Sequence, residues 1–179
     1  MEQSTSLNTL QFSDGAMAEI RRYLSHYPAE RQKSAILPIL HIAQAEFGGW
    51  VSPEAMDLVA EILNIQPIEV YEVATFYTMF NLKPVGKHVL EVCRTGPCML
   101  RGSDQLIEHL ENRLGCKVGE TSADGNFTLK TVECLASCGT GPMLQVREQF
   151  YEDLDPARAD QMLEDLKALT VRKPWEENY

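Results

Sequence analysis

Four of the five cysteines in this 179-residue chain form two close pairs. Cys93 and Cys98 are separated by four residues and Cys134 and Cys138 by three, while Cys116 stands alone. An odd number of cysteines argues against a disulfide framework and favours thiols that bind a metal or react. Thiolates grouped in this way are ligands for zinc or for an iron–sulfur cluster.

The intervals within the pairs discriminate between these metal sites. Structural zinc sites usually use C-x2-C pairs, and a thioredoxin-type redox site needs C-x-x-C, which the chain lacks. A [4Fe–4S] cluster usually shows three closely spaced cysteines. Two pairs, each able to hold one iron, fit a [2Fe–2S] cluster best, and a zinc-stabilised interaction module remains the alternative of another class.

Each cysteine pair follows a predicted strand. Apolar alternation predicts strands over 88–93 and 127–132, joined by a helix that begins at Ser103. Further strands over 143–147 and 150–151 and a last helix from Asp155, with Leu169 among its inward residues, complete a small α/β domain. A Thr-Gly-Pro tripeptide accompanies each pair, which predicts loops with close backbone approach and unusual φ around the cluster. The two pairs are therefore expected at one end of a sheet.

The first half of the chain reads as helical. Spacings of three and four between apolar residues, together with capping residues, predict four short helices over 14–26, 30–47, 53–64 and 67–77. Pro38 lies inside the second and is expected to kink it or to mark a late start. The turn-rich segment after Phe80 predicts a border between domains 1–82 and 83–179, and the tail 171–179 is expected to be extended.

Composition limits the classes of partner and compartment. The net charge of −10 argues against nucleic acid as the main partner and suits solubility or a basic protein partner. No stretch approaches the roughly 20 apolar residues of a membrane span, and residues 1–6 lack the basic and apolar regions of a secretory signal. An intracellular chain is expected.

Several other residues have simpler expectations. The four histidines lack metal-ligand spacing and are expected on the surface or in helices, and Cys116 is expected to be a partly buried thiol. A run of apolar residues before the domain border is expected to pack in the core or contact a partner, and comprises Val73, Phe76, Tyr77, Met79 and Phe80.

Two segments of the chain resemble the 24 kDa subunit family of respiratory complex I, the E subunit of bacterial NADH:quinone oxidoreductase. One runs from Asp124-Gly125-Asn126-Phe127-Thr128 to Cys134-Leu135-Ala136-Ser137-Cys138-Gly139-Thr140-Gly141-Pro142, and the other is Val70-Tyr71-Glu72-Val73-Ala74-Thr75-Phe76-Tyr77-Thr78-Met79-Phe80. Gln149-Phe150-Tyr151-Glu152 agrees as well, and the resemblance spans roughly residues 12 to 170. The chain departs from the family at Ala136, usually glycine, and at Arg147, more commonly asparagine.

The resemblance implies an α+β fold, with an N-terminal four-helix bundle followed by a thioredoxin-like α/β domain. In that family the second domain holds one [2Fe–2S] cluster, and its four ligands correspond to Cys93, Cys98, Cys134 and Cys138. A methyl group at Ala136 is expected to perturb the cluster loop slightly without removing a ligand. The family binds neither NADH nor FMN by itself, and no G-x-G-x-x-G appears in this chain.

The resemblance also implies a function. The chain is expected to be a non-catalytic, electron-carrying iron–sulfur subunit of NADH:quinone oxidoreductase, paired with a flavoprotein that oxidises NADH on FMN. Its cluster would lie near that flavin, off the main chain of clusters, in the peripheral arm on the cytoplasmic face or on the matrix side of a mitochondrion. The nearest alternative is the equivalent small diaphorase subunit of an NAD-linked hydrogenase or formate dehydrogenase.

Overall fold

The computed structural model describes residues 10–171 and 173–176, which form two compact units. One unit consists of the described parts of Met1–Pro84 and Arg172–Tyr179, and the other is Val85–Val171. The expectation about residues 1–6 lies outside the described residues, as does part of the expectation for the tail. Within the described ranges, no helix is long and apolar enough to cross a membrane.

Four α-helices pack around one apolar core in the first unit. They are α1 Asp14–Leu24, α2 Ile36–Glu46, α3 Pro53–Leu63 and α4 Pro67–Phe76. The hydroxyls of Ser13 and Ser52 cap α1 and α3, and Asn64 ends α3 in the left-handed conformation, as its short polar side chain permits. The buried side chains at the centre include Ala16, Ile20, Ile39, Leu40, Val51, Val59 and Val70.

The second helix begins later than its predicted first residue, Glu30. Residues Ala29–Ala35 form a 3-10 segment, and α2 itself starts at Ile36. Pro38 then lies in the first turn of α2, where a backbone N–H would make no hydrogen bond within the helix, so the lack of one costs nothing there. The late start, rather than a kink, is therefore the correct consequence of that proline, and α1 likewise ends at Leu24 instead of His26.

The end of the chain packs against the helices of the first unit. Pro174–Glu176 forms a 3-10 helix, so the expectation of an extended tail is wrong over these residues. Lys173 Nζ lies 2.8 Å from Glu46 Oε2, and a Cβ added to Gly15 would lie only 2.7 Å from Trp175 Cδ1. The close approach of an indole ring explains why α1 carries glycine at that position.

A four-stranded mixed sheet organises the second unit. Its strands are β1 His88–Cys93, β2 Phe127–Val132, β3 Leu144–Val146 and β4 Gln149–Tyr151, in the order β2-β1-β3-β4. Strands β1 and β2 are parallel, while β1–β3 and β3–β4 are antiparallel. The helices are α5 Gly96–Leu100, α6 Ser103–Leu114 and α7 Pro156–Ala168. This is an α+β arrangement, and α5 is a helix that the sequence did not predict.

The core of the second unit lies between the sheet and its helices. It includes Leu90, Val92, Leu106, Leu110, Leu129, Leu144 and Leu163. His88 is only 3% exposed, so the expectation that it lies on the surface or in a helix is wrong. Leu169 is 54% exposed and follows the last turn of α7, so it does not point inward as predicted.

Candidate metal centre

The two cysteine pairs are brought together by the parallel pairing of β1 and β2. Their register runs from His88 opposite Phe127 to Cys93 opposite Val132, so both strands end at the same edge of the sheet. Cys93 is the last residue of β1, and Cys134 follows β2 after one intervening residue. The carboxyl ends of parallel strands thus position one cysteine of each pair side by side.

The other cysteine of each pair lies on a short helical turn. Cys98 is on α5, and Cys138 begins a 3-10 turn that ends at Thr140. Thr95-Gly96-Pro97, predicted to be a loop, instead begins α5, with proline at a position in the first turn that tolerates it. A helix therefore holds Cys98, and a loop holds the second pair.

One half of the site is buried and the other half is exposed. Cys93 and Cys98 are each 2% exposed and pack against Met143 and the half-buried Leu135. Cys134 and Cys138 are exposed. A group bound by all four thiols would be covered on one side by apolar side chains.

Hydrogen bonds favour the thiolate form of Cys93. Burial alone raises the pKa of this thiol, but hydrogen bonds from the Thr95 hydroxyl and from the backbones of Leu135 and Thr95 outweigh it, so the pKa is lowered. The Thr95 Oγ1 atom lies 3.4 Å from the Cys93 sulfur. The sequence singled out Thr95 only as part of a Thr-Gly-Pro tripeptide and did not predict its contact with the Cys93 sulfur.

The Cys98 thiol is influenced by all three other cysteines. Burial, a hydrogen bond with Cys93 and the charges of Cys93, Cys138 and Cys134 raise the pKa of Cys98 to about 11. Because such repulsion decays with distance, the Cys98 sulfur lies within electrostatic range of each of the other three cysteines. Clustered thiolates that repel one another are stabilised when cations are placed between them, so the donor set fits an iron–sulfur group.

The four cysteines form two pairs along the chain, Cys93 with Cys98 and Cys134 with Cys138. In the part of the chain that the structure describes, no group of three or more histidine, cysteine, aspartate or glutamate side chains is arranged to hold a single metal ion. A [2Fe–2S] cluster with four cysteine ligands places two thiolates on each iron, which two pairs can supply.

Both departures from the family pattern fall on residues with a left-handed backbone. Ala136 has φ +62° and its N–H donates to the Cys134 sulfur at 3.3 Å. Arg147 has φ +55° at the start of the two-residue turn between β3 and β4. Glycine and asparagine adopt this conformation most readily, which explains why they are the usual residues at these positions.

None of the three glycines beside the cysteines has an unusual φ, and one of them approaches a cysteine sulfur closely. Gly96, Gly139 and Gly141 all lie outside the left-handed region, so that part of the expectation is wrong. Close approach is found at Gly141, where an added Cβ would lie 3.2 Å from the Cys98 sulfur. A side chain at that position would press on one of the four thiols.

Several polar contacts around the second pair were not predicted. Arg101 Nε donates to the Gly141 carbonyl at 2.5 Å, and Arg101 also lies 3.5 Å from Asp153. The carboxylate of Glu152 accepts hydrogen bonds from the hydroxyls of Ser137 and Thr140. The sequence singled out Glu152 only as part of a family segment, because the spacing of these residues along the chain carries no signal for the contact.

Cys116 lies apart from this group. It is 7% exposed, its sulfur is 3.8 Å from the Glu120 carbonyl oxygen, and burial together with nearby carboxylates raises its pKa. Cys116 is therefore more deeply buried than the partly buried thiol that the sequence predicted.

The helical unit exposes part of its apolar run. Phe76 is 77% exposed, Tyr77 40% and Met79 39%, whereas Phe80 is 4% exposed and belongs to the core. Val73 packs partly buried against the same core. The run is therefore divided between core and surface, and only three of its five side chains are available to a partner.

Comparison with known proteins identifies close relatives. A family model described as thioredoxin-like [2Fe-2S] ferredoxin matches residues 20–167. The mitochondrial NADH dehydrogenase [ubiquinone] flavoprotein 2 of Dictyostelium discoideum is 42% identical over 166 residues, 93% of this chain and 67% of that protein. The E subunit of NADH-quinone oxidoreductase from Rickettsia bellii (strain RML369-C) is 40% identical over 164 residues, 92% of this chain and 98% of that protein.

Two further comparisons extend these findings. The corresponding protein of Rickettsia prowazekii (strain Madrid E), which carries the same name, is 45% identical over 141 residues, 79% of this chain and 80% of that protein. Among solved structures, an air-oxidized NAD+-reducing [NiFe]-hydrogenase has a TM-score of 0.65 at 21% identity, covering 75% of this chain and 23% of that chain. At that identity the similarity shows the fold alone.

Proposed function

This chain belongs to the thioredoxin-like [2Fe-2S] ferredoxin family, and we propose that Cys93, Cys98, Cys134 and Cys138 hold its one [2Fe–2S] cluster. The observation that carries the proposal is the parallel register of β1 and β2, which ends both strands at the edge of the sheet where Cys93 and Cys134 lie. The influence of the other three cysteines on the pKa of Cys98 agrees with this arrangement. Such a cluster supplies one-electron oxidation and reduction, and the protein supplies position and environment.

Residues around the four cysteines shield the site and contact the sulfur atoms. The buried cysteines, with Met143 and Leu135, keep water from one side of the site. The Thr95 hydroxyl and the Ala136 N–H lie within hydrogen-bonding reach of cysteine sulfurs. Hydrogen bonds to sulfur and solvent exposure are two of the features that set the reduction potential of an iron–sulfur centre.

We infer that the chain is the electron-transfer subunit of an NADH:quinone oxidoreductase, as its relatives at 40% to 45% identity are named. Its partner would be the flavoprotein subunit of the same complex, which holds FMN and binds NADH. The subunit then carries electrons without catalysing hydride transfer itself. We place it in the peripheral arm of that complex, on the cytoplasmic face in a bacterium or the matrix side in a mitochondrion.

The helical unit is proposed to be the N-terminal four-helix bundle of this family. We propose a border after residue 82, between domains 1–82 and 83–179. Pro174–Glu176 lies within the compact helical unit, which also contains the residues up to Pro84. The exposed aromatic Phe76, together with Ile68 at 63% exposed, offers apolar surface of the type enriched where proteins meet. This surface is proposed to contribute to flavoprotein binding.

Spectroscopy of the anaerobically purified full chain tests the cluster. A [2Fe–2S] centre gives a brown protein with two irons and an EPR signal after reduction, whereas zinc thiolates are colourless. Serine in place of any one proposed ligand should bleach or grossly alter the spectrum, because a hard alcohol is a poor substitute for thiolate. Cys116→Ser is the matched control, since it removes another buried cysteine and should leave the spectrum unchanged. Loss of iron in the control alone would refute the ligand assignment.

Reduction by NADH tests the partner. We expect NADH to reduce the cluster only when the flavoprotein is present, and Phe76→Ser to weaken their complex without changing the spectrum. Leu169→Ser is the control, because it replaces another exposed apolar side chain in the other unit. Rapid reduction of the isolated chain by NADH would contradict the proposal, and co-purification with hydrogenase or formate dehydrogenase subunits would favour the alternative complex.

A further inference from the structure

The connection between β4 and α7 lies beside the loop that carries the second cysteine pair. The Asp153 N–H donates to the Thr140 carbonyl at 2.7 Å, and the Leu154 N–H donates to the Pro142 carbonyl at 3.0 Å. These backbone contacts hold the end of the loop, which follows Cys138. They leave the segment between Cys134 and Cys138 to be held by other groups.

Glu152 supplies a side-chain contact to that segment. Its Oε1 atom lies 2.5 Å from the Thr140 hydroxyl oxygen and also accepts from the Ser137 hydroxyl, and the two hydroxyls are 2.7 Å apart. Ser137 immediately precedes Cys138 in the chain. One carboxylate oxygen therefore accepts from the hydroxyl of Ser137, just before the 3-10 turn, and from that of Thr140, the last residue of the turn.

The contact of Glu152 with the two hydroxyls is strengthened by the negative charge of its carboxylate. Hydrogen bonds from Ser137 and Thr140 lower the pKa of Glu152, so its carboxylate is charged at neutral pH. Hydrogen bonds to an ionised acceptor are stronger than those between neutral groups. Leu135 packs partly buried against Met143 and the buried cysteines, but Cys134 and Cys138 are exposed and lie outside that apolar cluster. The Cys138 end of the loop therefore depends on polar contacts.

We propose that Glu152 is a positioning residue that holds the loop of Cys134 and Cys138 in the conformation that binds iron. The inference rests on the proposed cluster and adds a group outside its four ligands. Outer groups that orient metal ligands typically change metal affinity by about 10–100-fold when they are removed. Because the backbone contacts of Asp153 and Leu154 do not use the Glu152 side chain, its substitution should loosen the loop without unfolding the unit.

Iron release from the full 179-residue chain tests this role. We expect Glu152→Ala to release iron to an excess of ferrous chelator at least about tenfold faster than the wild type. Glu152→Gln should release iron more slowly than Glu152→Ala and somewhat faster than the wild type, because its neutral amide oxygen still accepts from both hydroxyls through weaker hydrogen bonds. Glu133→Ala is the matched control, since Glu133 is an exposed acid next to Cys134 whose removal changes the net charge equally.

A second variant separates positioning from a general loss of stability. Ser137→Ala should also accelerate iron release, and combining it with Glu152→Ala should add little, because both substitutions break the same contact. EPR spectra of the reduced proteins should show altered line shape in Glu152→Ala and wild-type line shape in Glu152→Gln.

Each outcome has a definite meaning. Iron release from Glu152→Ala at the wild-type rate would overturn the positioning role. The role would also be overturned if Glu152→Gln and the Glu133→Ala control both released iron as fast as Glu152→Ala, because that would indicate an effect of net charge alone. Additive effects of the two substitutions would also contradict it. A wild-type chain without a two-iron EPR signal would refute the proposed function itself, which the variants do not affect.

Discussion

Replacing Ala136 with glycine should stabilise the loop between Cys134 and Cys138. Ala136 has φ +62°, where the methyl group of an L-residue crowds the following carbonyl. The substitution removes that methyl group and leaves the N–H that donates to the Cys134 sulfur at 3.3 Å. Since the side chain at 136 is exposed, no packing is lost in the exchange.

Two opposing terms set the size of the effect. The left-handed conformation costs an L-residue about 1–2 kcal/mol relative to glycine. Glycine in turn gives the unfolded chain more freedom, which costs about 0.4–1 kcal/mol. The net gain in the free energy of unfolding therefore lies between about 0 and 1.6 kcal/mol, with a central value of about 0.8 kcal/mol. With an m-value of about 2 kcal/mol/M, the urea midpoint should rise by roughly 0.4 M.

Anaerobic urea unfolding, followed by visible absorption of the cluster and by far-ultraviolet circular dichroism, measures the shift. Ala123→Gly is the control, because Ala123 is an exposed turn residue outside the left-handed region and glycine there should lower stability by about 0.4–1 kcal/mol. An Ala136→Gly protein that is destabilised as much as this control would refute the reasoning, and loss of the cluster would show that the loop requires a side chain at this position.

Three further predictions concern other residues. Arg147→Asn should be more stable in urea than Arg147→Ala by about 0.5–1 kcal/mol, because both lose the long side chain and only asparagine tolerates φ +55° well. Burial and two neighbouring cations lower the pKa of His88, so the unfolded chain binds an extra proton as the pH falls below the ordinary value of 6.5. The free energy of unfolding should therefore decline on acidification below that pH, by at most about 1.4 kcal/mol per pH unit. His88→Gln should flatten this dependence on pH. Equal slopes for the wild type and His88→Gln would exclude His88 as the source of the dependence. Gly141→Ala should accelerate iron release, because its Cβ would lie 3.2 Å from the Cys98 sulfur. Gly139→Ala should not, because nothing lies within 4 Å of its Cβ. Indistinguishable rates for the two variants would show that the Cys98 side chain can move away from the new methyl group without weakening iron binding.

The sequence by itself determined the elements that carry the cysteines. Alternation of apolar residues located β1 at His88–Cys93 and β2 at Phe127–Val132 with the bounds that the structure has. Capping chemistry located the start of α3 after Ser52 and its end before Asn64. These features are local, since they depend on side chains within a few residues of one another and on backbone preferences.

The sequence was insufficient where a local pattern was too short or ambiguous. Helix α5 spans five residues, fewer than two turns, so no apolar period can be recognised in it, and Gly96-Pro97 reads equally well as a loop. Ala136 and Arg147 were identified as departures from the family, but their positive φ was visible only in the structure. A backbone angle of this kind depends on how a loop is closed by its neighbours.

Contacts between distant parts of the chain were decided by tertiary structure alone. The Glu152 carboxylate meets hydroxyls that lie 15 and 12 residues away in sequence, and Trp175 packs beside Gly15 at the opposite end of the chain. The burial of His88 likewise depends on what covers β1. The sequence determined which residues we propose as ligands, because residue type and short spacing suffice for that. Which groups support them was decided by the fold, because such contacts are set by packing between elements and leave no periodic trace along the chain.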